Sequence, residues 1–530
     1  MLETVRSWRG AVVAPHHQAA RAGLRILEDG GNAVEAMIAT AAVISVTYPH
    51  MNNLGGDNFW LIAPDGEDPV GIDACGAAAG QASIDFYRAL EHDSIPSRGP
   101  LAALTVGGAV SGWQRAYAYS RSRLGGKIPL SHLLEEAIAL ARGGVAVTRT
   151  LADNAAGKFD QLAASPGFTG QYCPEGRPVQ LADRLLQPRI ADTLAHLAQA
   201  GLDDFYRGDL ARSIAADLIG AGSPLTLADL ERHQALDVTP LALEVAGQRL
   251  FNMPPPTQGL ASLLLLGVFD RLGVSTAESF DFVHGLVEST KAAFRIRDRH
   301  VTDPAYMAEA ATAFLTGERL DRMAAGIDPK RAAPWPEANN AGDTVWLGAV
   351  DASGNAVSMI QSIYWEFGSG VVLPQSGITW QNRGTSFSLD PAHHNCLKPH
   401  RRPFHTIQPA LARLSDGRVM PYGTMGGEGQ PQTQAMIYAR HVMFGQDLQQ
   451  AVTAPRWLLG KTWGSDVTSL RLEDRFDPDL VNALRAAGHD VEMVGPFDEV
   501  MGHAGALVRH PNGLIEGASD PRSDGTVAAW

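Results

Sequence analysis

Two hydroxyl side chains, Thr344 and Ser362, bracket a segment that reads as a β-hairpin. Residues 344–350 and 356–364 are strand-forming runs, joined by Asp351-Ala352-Ser353-Gly354-Asn355, a five-residue loop with the Gly and Asn that such turns favour. If Val350 pairs with Ala356, partner numbers sum to 706 and Thr344 lies opposite Ser362, unless a β-bulge breaks the count. This would place two hydroxyls side by side where a linker enters a sheet; the plain reading is a Thr–Ser cross-strand pair contributing about 0.2–1 kcal/mol. A dense basic run, Lys398-Pro399-His400-Arg401-Arg402, fits either a solvated turn or a small-anion site. His393, His394, Cys396, His400 and His405 could suggest a zinc-assisted amidase, but their spacing matches no standard zinc pattern and adjacent histidines point apart on a strand. The loop 49–58, with Asn52, Asn53, Gly55 and Gly56, suits either close approach of backbone to a ligand or a simple helix-to-strand connection. It lacks the lysine of a phosphate-binding loop.

The elements that must position these groups are legible in outline. From Gln18 to Thr47 the pattern is helical, with Gly30-Gly31-Asn32 ending one helix and capping the next; the second is apolar on all faces and should be buried. A strand is expected at 59–63. Residues 125–330 read as mainly helical (130–141, 190–200, 209–218 and 281–298), then 329–343 as an exposed linker, then mostly strands, at 345–350, 356–364, 377–381 and 506–510. No internal repeat is found.

Composition narrows the classes. With 530 residues, length alone predicts two or three domains, and 45% apolar residues supply material for cores. A net charge of −14 argues against a nucleic-acid partner. Three cysteines without CxxC spacing fit a reducing compartment and no disulfide framework. The start of the chain has no apolar signal-like stretch, and the runs 37–46 and 260–269 are too short to span a bilayer, so a soluble cytoplasmic protein without membrane partners is expected.

An ordered set of short motifs runs through most of the chain: Gly31-Asn32-Ala33-Val34-Glu35-Ala36, Pro49-His50 to Gly55-Gly56, Thr105-Val106-Gly107-Gly108, Met253-Pro254-Pro255-Pro256, Asp343-Thr344, Phe367-Gly368-Ser369-Gly370 and Gly423-Thr424-Met425-Gly426-Gly427. On these the chain resembles the γ-glutamyltranspeptidase family of N-terminal-nucleophile hydrolases. The resemblance implies a four-layered αββα sandwich and a precursor cut at Asp343–Thr344 into a large chain, 1–343, and a small chain, 344–530. Thr344 would then be the nucleophile, its freed α-amine the base, Ser362 its support, and the N–H groups of Gly426 and Gly427 the oxyanion hole. No cofactor or metal is called for. The partners expected are a small-molecule amide and the two chains of one precursor, as a single protomer or a dimer of such heterodimers.

The sequence departs from the pattern that holds a γ-glutamyl head group. The stretch Gly71–Ala77 has no arginine, Tyr364 replaces an asparagine, residues 380–387 replace the aspartate-containing segment, and His405-Thr406 replaces a serine pair. An α-ammonium buried there without a carboxylate would cost several kcal/mol. Arg383, with Tyr364, His405, Thr406 and Asn53, instead suits a small acyl substrate bearing a carboxylate; a structural ion pair is the other reading of Arg383. These segments resemble the branch of the family containing oxamate amidohydrolases, which implies hydrolysis of oxamate to oxalate and ammonia. The alternatives are γ-glutamyl hydrolysis or transfer, a cephalosporin-type acylase, and an uncleaved carboxylate-binding protein.

Overall fold

The computed structural model describes residues 2–335, 343–460 and 467–530. Strands Gly10–Ala14, Asp57–Ala63 and Ala356–Tyr364 are buried along their whole length, as strands covered on both faces must be. They lie at the centre of a seven-stranded antiparallel sheet ordered Thr526–Ala529, Gly10–Ala14, Asp343–Asp351, Ala356–Tyr364, Asp57–Ala63, Val70–Ala74 and Leu236–Val238. A second seven-stranded sheet runs Val5–Ser7, Ile515–Ser519, Ala504–Arg509, Val419–Thr424, Ala410–Arg413, Gln248–Asn252 and Leu241–Val245.

Three apolar cores define the layers. Val13, Phe59, Trp346 and Ile360 from the first sheet meet Phe251, Leu411 and Leu507 from the second. Helices His17–Glu28 and Ala33–Thr47 cover the outer face of the first sheet. Gly259–Arg271, Phe280–His300 and Gln430–Tyr438 cover that of the second. This is the expected αββα sandwich, and strands from both sides of position 344 interleave in each sheet. The two or three domains expected from length are thus one layered unit. Among the described residues no helix is long and apolar enough to cross a membrane.

Helix Ala33–Thr47 is buried at every residue and begins at Asn32, whose Oδ1 accepts from Val34 and Glu35 N–H while Glu35 Oε2 accepts from Asn32 N–H. Three expectations change. The 377–381 run forms only isolated bridges, Val372 with Thr379 and Gly55 with Trp380. The mainly helical 125–330 region also contains strands Leu236–Val238, Leu241–Val245 and Gln248–Asn252, whose mixed burial weakens their period-two signal. The linker is pinned before it reaches 336–342, which lie outside the described residues: Ala332 N–H donates to Ala487 O, and Ala333 bonds both Glu288 and Lys291.

The hairpin keeps the expected register from Val345–Gln361 to Val350–Ala356, but Asp343 pairs with Tyr364. A β-bulge therefore sets Ser362 and Ile363 together against Thr344, in place of the expected one-to-one Thr344–Ser362 pair. Ser362 Oγ accepts the Tyr364 N–H at 2.8 Å, and Tyr364 adopts φ +81. A local hydrogen bond thus competes with the ladder where the strand turns out of the sheet.

Replacing Asn32 with Ala removes the cap of the central helix and should cost about 1–2 kcal/mol, measured by urea unfolding at pH 7.

Candidate active site

Thr344 is fully buried at the start of its strand, and Gln430 Nε2 lies 3.4 Å from its Oγ1 as a donor. Gln430 is fixed in turn because its Oε1 accepts from Gln408 N–H at 3.2 Å. It was not among the expected site residues; its signal is its place directly after Gly426-Gly427-Glu428-Gly429, opening helix Gln430–Tyr438.

Gly426 and Gly427 have φ +116 and +53, consecutive left-handed positions that only glycine adopts readily. Such a turn curls the main chain into a concavity lined by its own donors, and the helix start behind it adds positive potential. Two buried networks hold this turn. Gln258 Nε2 donates to Gly427 O at 2.8 Å and to Thr406 O at 2.6 Å, while its Oε1 accepts from Arg297, which also pairs with Glu428 at 3.0 Å. On the other side Met425 N–H donates to His503 O, and Arg456 donates to Gly502 O at 2.9 Å. Arg456 belongs to a buried quartet with Asp520, Arg522 and Glu473, linked by contacts of 2.6, 3.0 and 2.7 Å. Burial alone would raise the Asp520 pKa, but the two guanidiniums outweigh it and hold it at about 2.

Arg383 joins this neighbourhood through Tyr364 and Thr406. It is fully buried, its guanidinium lies 3.8 Å over the Tyr364 ring, and Nη1 donates to Thr406 Oγ1 at 3.2 Å. Nε and Nη2 have no hydrogen-bond partner, and among the described residues no carboxylate forms an ion pair with it. Burial lowers its pKa to about 10, which leaves it a cation at neutral pH. His405 is buried edge-on against Phe59, with Nε2 3.4 Å from Asp57 Oδ2. Burial, and then repulsion from Arg383 and Arg402, holds its pKa well below the usual histidine range, so it is neutral. Asp57, also absent from the expected set, pairs in register with Ser362 on the neighbouring strand. Asn53 Oδ1 accepts from Thr379 N–H at 3.1 Å, which braces the loop leading to Arg383. A cavity of ≈ 420 Å3, lined in part by Tyr364, Ser386, Phe387, Phe404 and Glu428, borders the site.

Contacts thus join Thr344, Ser362, Tyr364, Arg383, His405, Thr406, Gly426 and Gly427 into one neighbourhood. The basic run does not serve as a solvated turn or anion site at its two arginines. Arg401 is buried and donates to the carbonyls of Cys396 and His394, and Arg402 pairs with Asp73 and Asp303. His393 and His394 lie in a turn with ring centroids 4.4 Å apart, side by side rather than pointing apart on a strand. Among the described residues the possible metal ligands that converge are His284, Glu288 and His489. There His284 and His489 bond each other at 2.8 Å and the Lys291 ammonium occupies Glu288 at 2.7 Å, so the cluster is a self-satisfied clamp on the 328–335 segment.

Residues 19–530 match the family model described as Gamma-glutamyltranspeptidase. Over 524 residues the chain is 52% identical to the oxamate amidohydrolase proenzyme of Klebsiella pneumoniae subsp. pneumoniae, covering 99% of each chain. It is 37% identical over 530 residues to the glutathione hydrolase-like YwrD proenzyme of Bacillus subtilis, again covering 99% of each. Among solved structures, the cephalosporin acylase from Bacillus halodurans superposes with a TM-score of 0.91 at 33% identity, covering 100% of this chain and 97% of that one.

Two outcomes follow from the geometry. Gln430→Leu removes the donor to Thr344 Oγ1 and should lower kcat about 10-fold with little change in KM, in steady-state assays. The Asp520 carboxyl, depressed in the folded state, stabilises the protein above its unfolded value near pH 4, and this is lost as pH falls towards about 2. Urea unfolding should show a loss of roughly 2 kcal/mol across that window, and the loss should shrink in Asp520→Asn.

Proposed function

This chain belongs to the γ-glutamyltranspeptidase family and is a hydrolase of amide C–N bonds; on that premise we propose that it is a self-processing, cytoplasmic amidohydrolase of small carboxylate-bearing amides, with oxamate as substrate. The observation that carries the substrate reading is Arg383, buried beside the nucleophile strand with Nε and Nη2 unanswered. A guanidinium presents paired donors that match a carboxylate. The 52% identity to an oxamate amidohydrolase proenzyme supports the same reading, and three buried free cysteines suit a reducing compartment.

In processing, Thr344 Oγ attacks the Asp343 carbonyl and displaces its own nitrogen, and water hydrolyses the resulting ester. The products are a large chain, 1–343, ending in a carboxylate, and a small chain, 344–530, beginning with a free amine. In turnover that amine, with a pKa of about 7.7–8, accepts the Oγ proton as Oγ attacks the amide carbon. Donors at Gly426 and Gly427 face the developing oxyanion, and Arg383 holds the substrate carboxylate. Collapse expels ammonia, which takes the proton, and leaves an oxalyl ester on Thr344. Water, deprotonated by the amine, then releases oxalate and restores the hydroxyl. Gln430 keeps the Oγ orientation through both halves.

A denaturing gel should show two chains for the wild type, with the smaller beginning at Thr344, and one for Thr344→Ala. The wild type should release ammonia from oxamate; turnover of γ-glutamyl-p-nitroanilide alone would refute the substrate while leaving the hydrolase intact. Arg383→Ala should process normally yet lose about 100-fold or more in kcat/KM, and Arg383→Lys should not restore it, because one ammonium cannot replace a planar fork.

A further inference from the structure

Asp57 is a buried carboxylate that none of these steps uses. Two glycine amides grip its Oδ1, Gly76 at 3.0 Å and Gly108 at 2.9 Å. A side chain at either glycine would run into a main-chain carbonyl, Val106 O or Ala74 O, so the grip requires glycine at both places. Oδ2 makes no well-formed hydrogen bond, with His405 Nε2 at 3.4 Å and the Gln381 amide close enough to favour the charged form. Arg383 and Asp57 feel each other's charge without touching. Opposite charges sealed in low dielectric attract strongly and would close into an ion pair if free to move. The glycine clamp holds one, the Tyr364 stack and Thr406 hold the other, and both keep unanswered polar atoms.

The other titratable groups around Asp57 are His405, Cys75 and Tyr206, all neutral because burial disfavours their charged forms. Behind Cys75, Arg402 is paired with Asp73 at 2.7 Å and with Asp303 at 3.3 Å, and Arg383 is the cation whose charge acts on Asp57. Arg383 is therefore the charge that Asp57 offsets.

We propose that Asp57 is a specificity-determining residue: its carboxylate balances Arg383 so that the site takes a ligand with a single negative charge and disfavours a dianion. The idea rests on the reading of a carboxylate-bearing amide as substrate. Such an amide carries one charge and the diacid it yields carries two, so the residue that tolerates the substrate also favours departure of the product. Burial raises the Asp57 pKa to about 7, so its charge appears as pH rises through neutrality, and discrimination should rise with it.

The test uses the processed enzyme and compares KM for oxamate with the competitive Ki of oxalate from pH 6 to 8.5, in the wild type and in Asp57→Asn. In the wild type the Ki/KM ratio should rise through pH 7. In the variant it should fall about 10-fold or more and lose that dependence. Equal ratios and profiles in the two proteins would overturn the proposal. If the variant does not fold, a ratio in the wild type that is flat across the range would overturn it. The same contrast, read as melting-temperature shifts with acetate against oxalate, tests Asp57 even if oxamate is not turned over, an outcome that would count only against the substrate.

Discussion

A guanidinium sealed from water costs on the order of several kcal/mol unless something answers its charge, and the arrangement around Arg383 is organised by that cost. The Tyr364 face offsets part of it, Thr406 satisfies one nitrogen, and Asp57 supplies a compensating charge at a distance. None of these uses the guanidinium edge that a carboxylate would take. Buried polar atoms without a hydrogen-bond partner cluster here, on Arg383, Asp57, His405 and Gln381.

The strand that carries Thr344 imposes a second constraint. Residues 343–351 lie between Gly10–Ala14 and Ala356–Tyr364 in the middle of a sheet whose two faces are both covered. A chain break before Thr344 would leave the neighbouring pairing in place, because Val345–Val350 pair with Ala356–Gln361 and Gly348–Asp351 pair with Gly10–Val13. The bulge at Thr344 ends the regular ladder at the mouth of the hairpin, where Ser362 and Ile363 together face one residue. Residues on both sides of position 344 share both sheets, so the two parts would stay together if the chain were cut there.

The Gly426-Gly427 turn depends on distant side chains. Gly426 and Gly427 supply a conformation, but Gln258, Arg297 and the Arg456 quartet hold it where the strand ends. These braces come from five separate segments of the chain, so a local window of sequence contains no trace of their meeting.

Local signals legible in the sequence were those set by local chemistry. The Asp351–Asn355 turn, the Asn32 cap, the wholly apolar helix after it and the glycine pair at 426 follow from residue type and spacing, and the ordered motifs carried the αββα architecture. Gln430 and Asp57 escaped notice because each acts on a residue remote in sequence but adjacent across a sheet or helix end. Arg401 and Arg402 look like solvated charge until the fold supplies Cys396, His394, Asp73 and Asp303 as partners. The sequence alone therefore determined which side chains were available and how their strands and turns would form. Tertiary structure decided which charges would meet a partner and which would be buried without one, because burial and pairing depend on contacts between segments hundreds of residues apart.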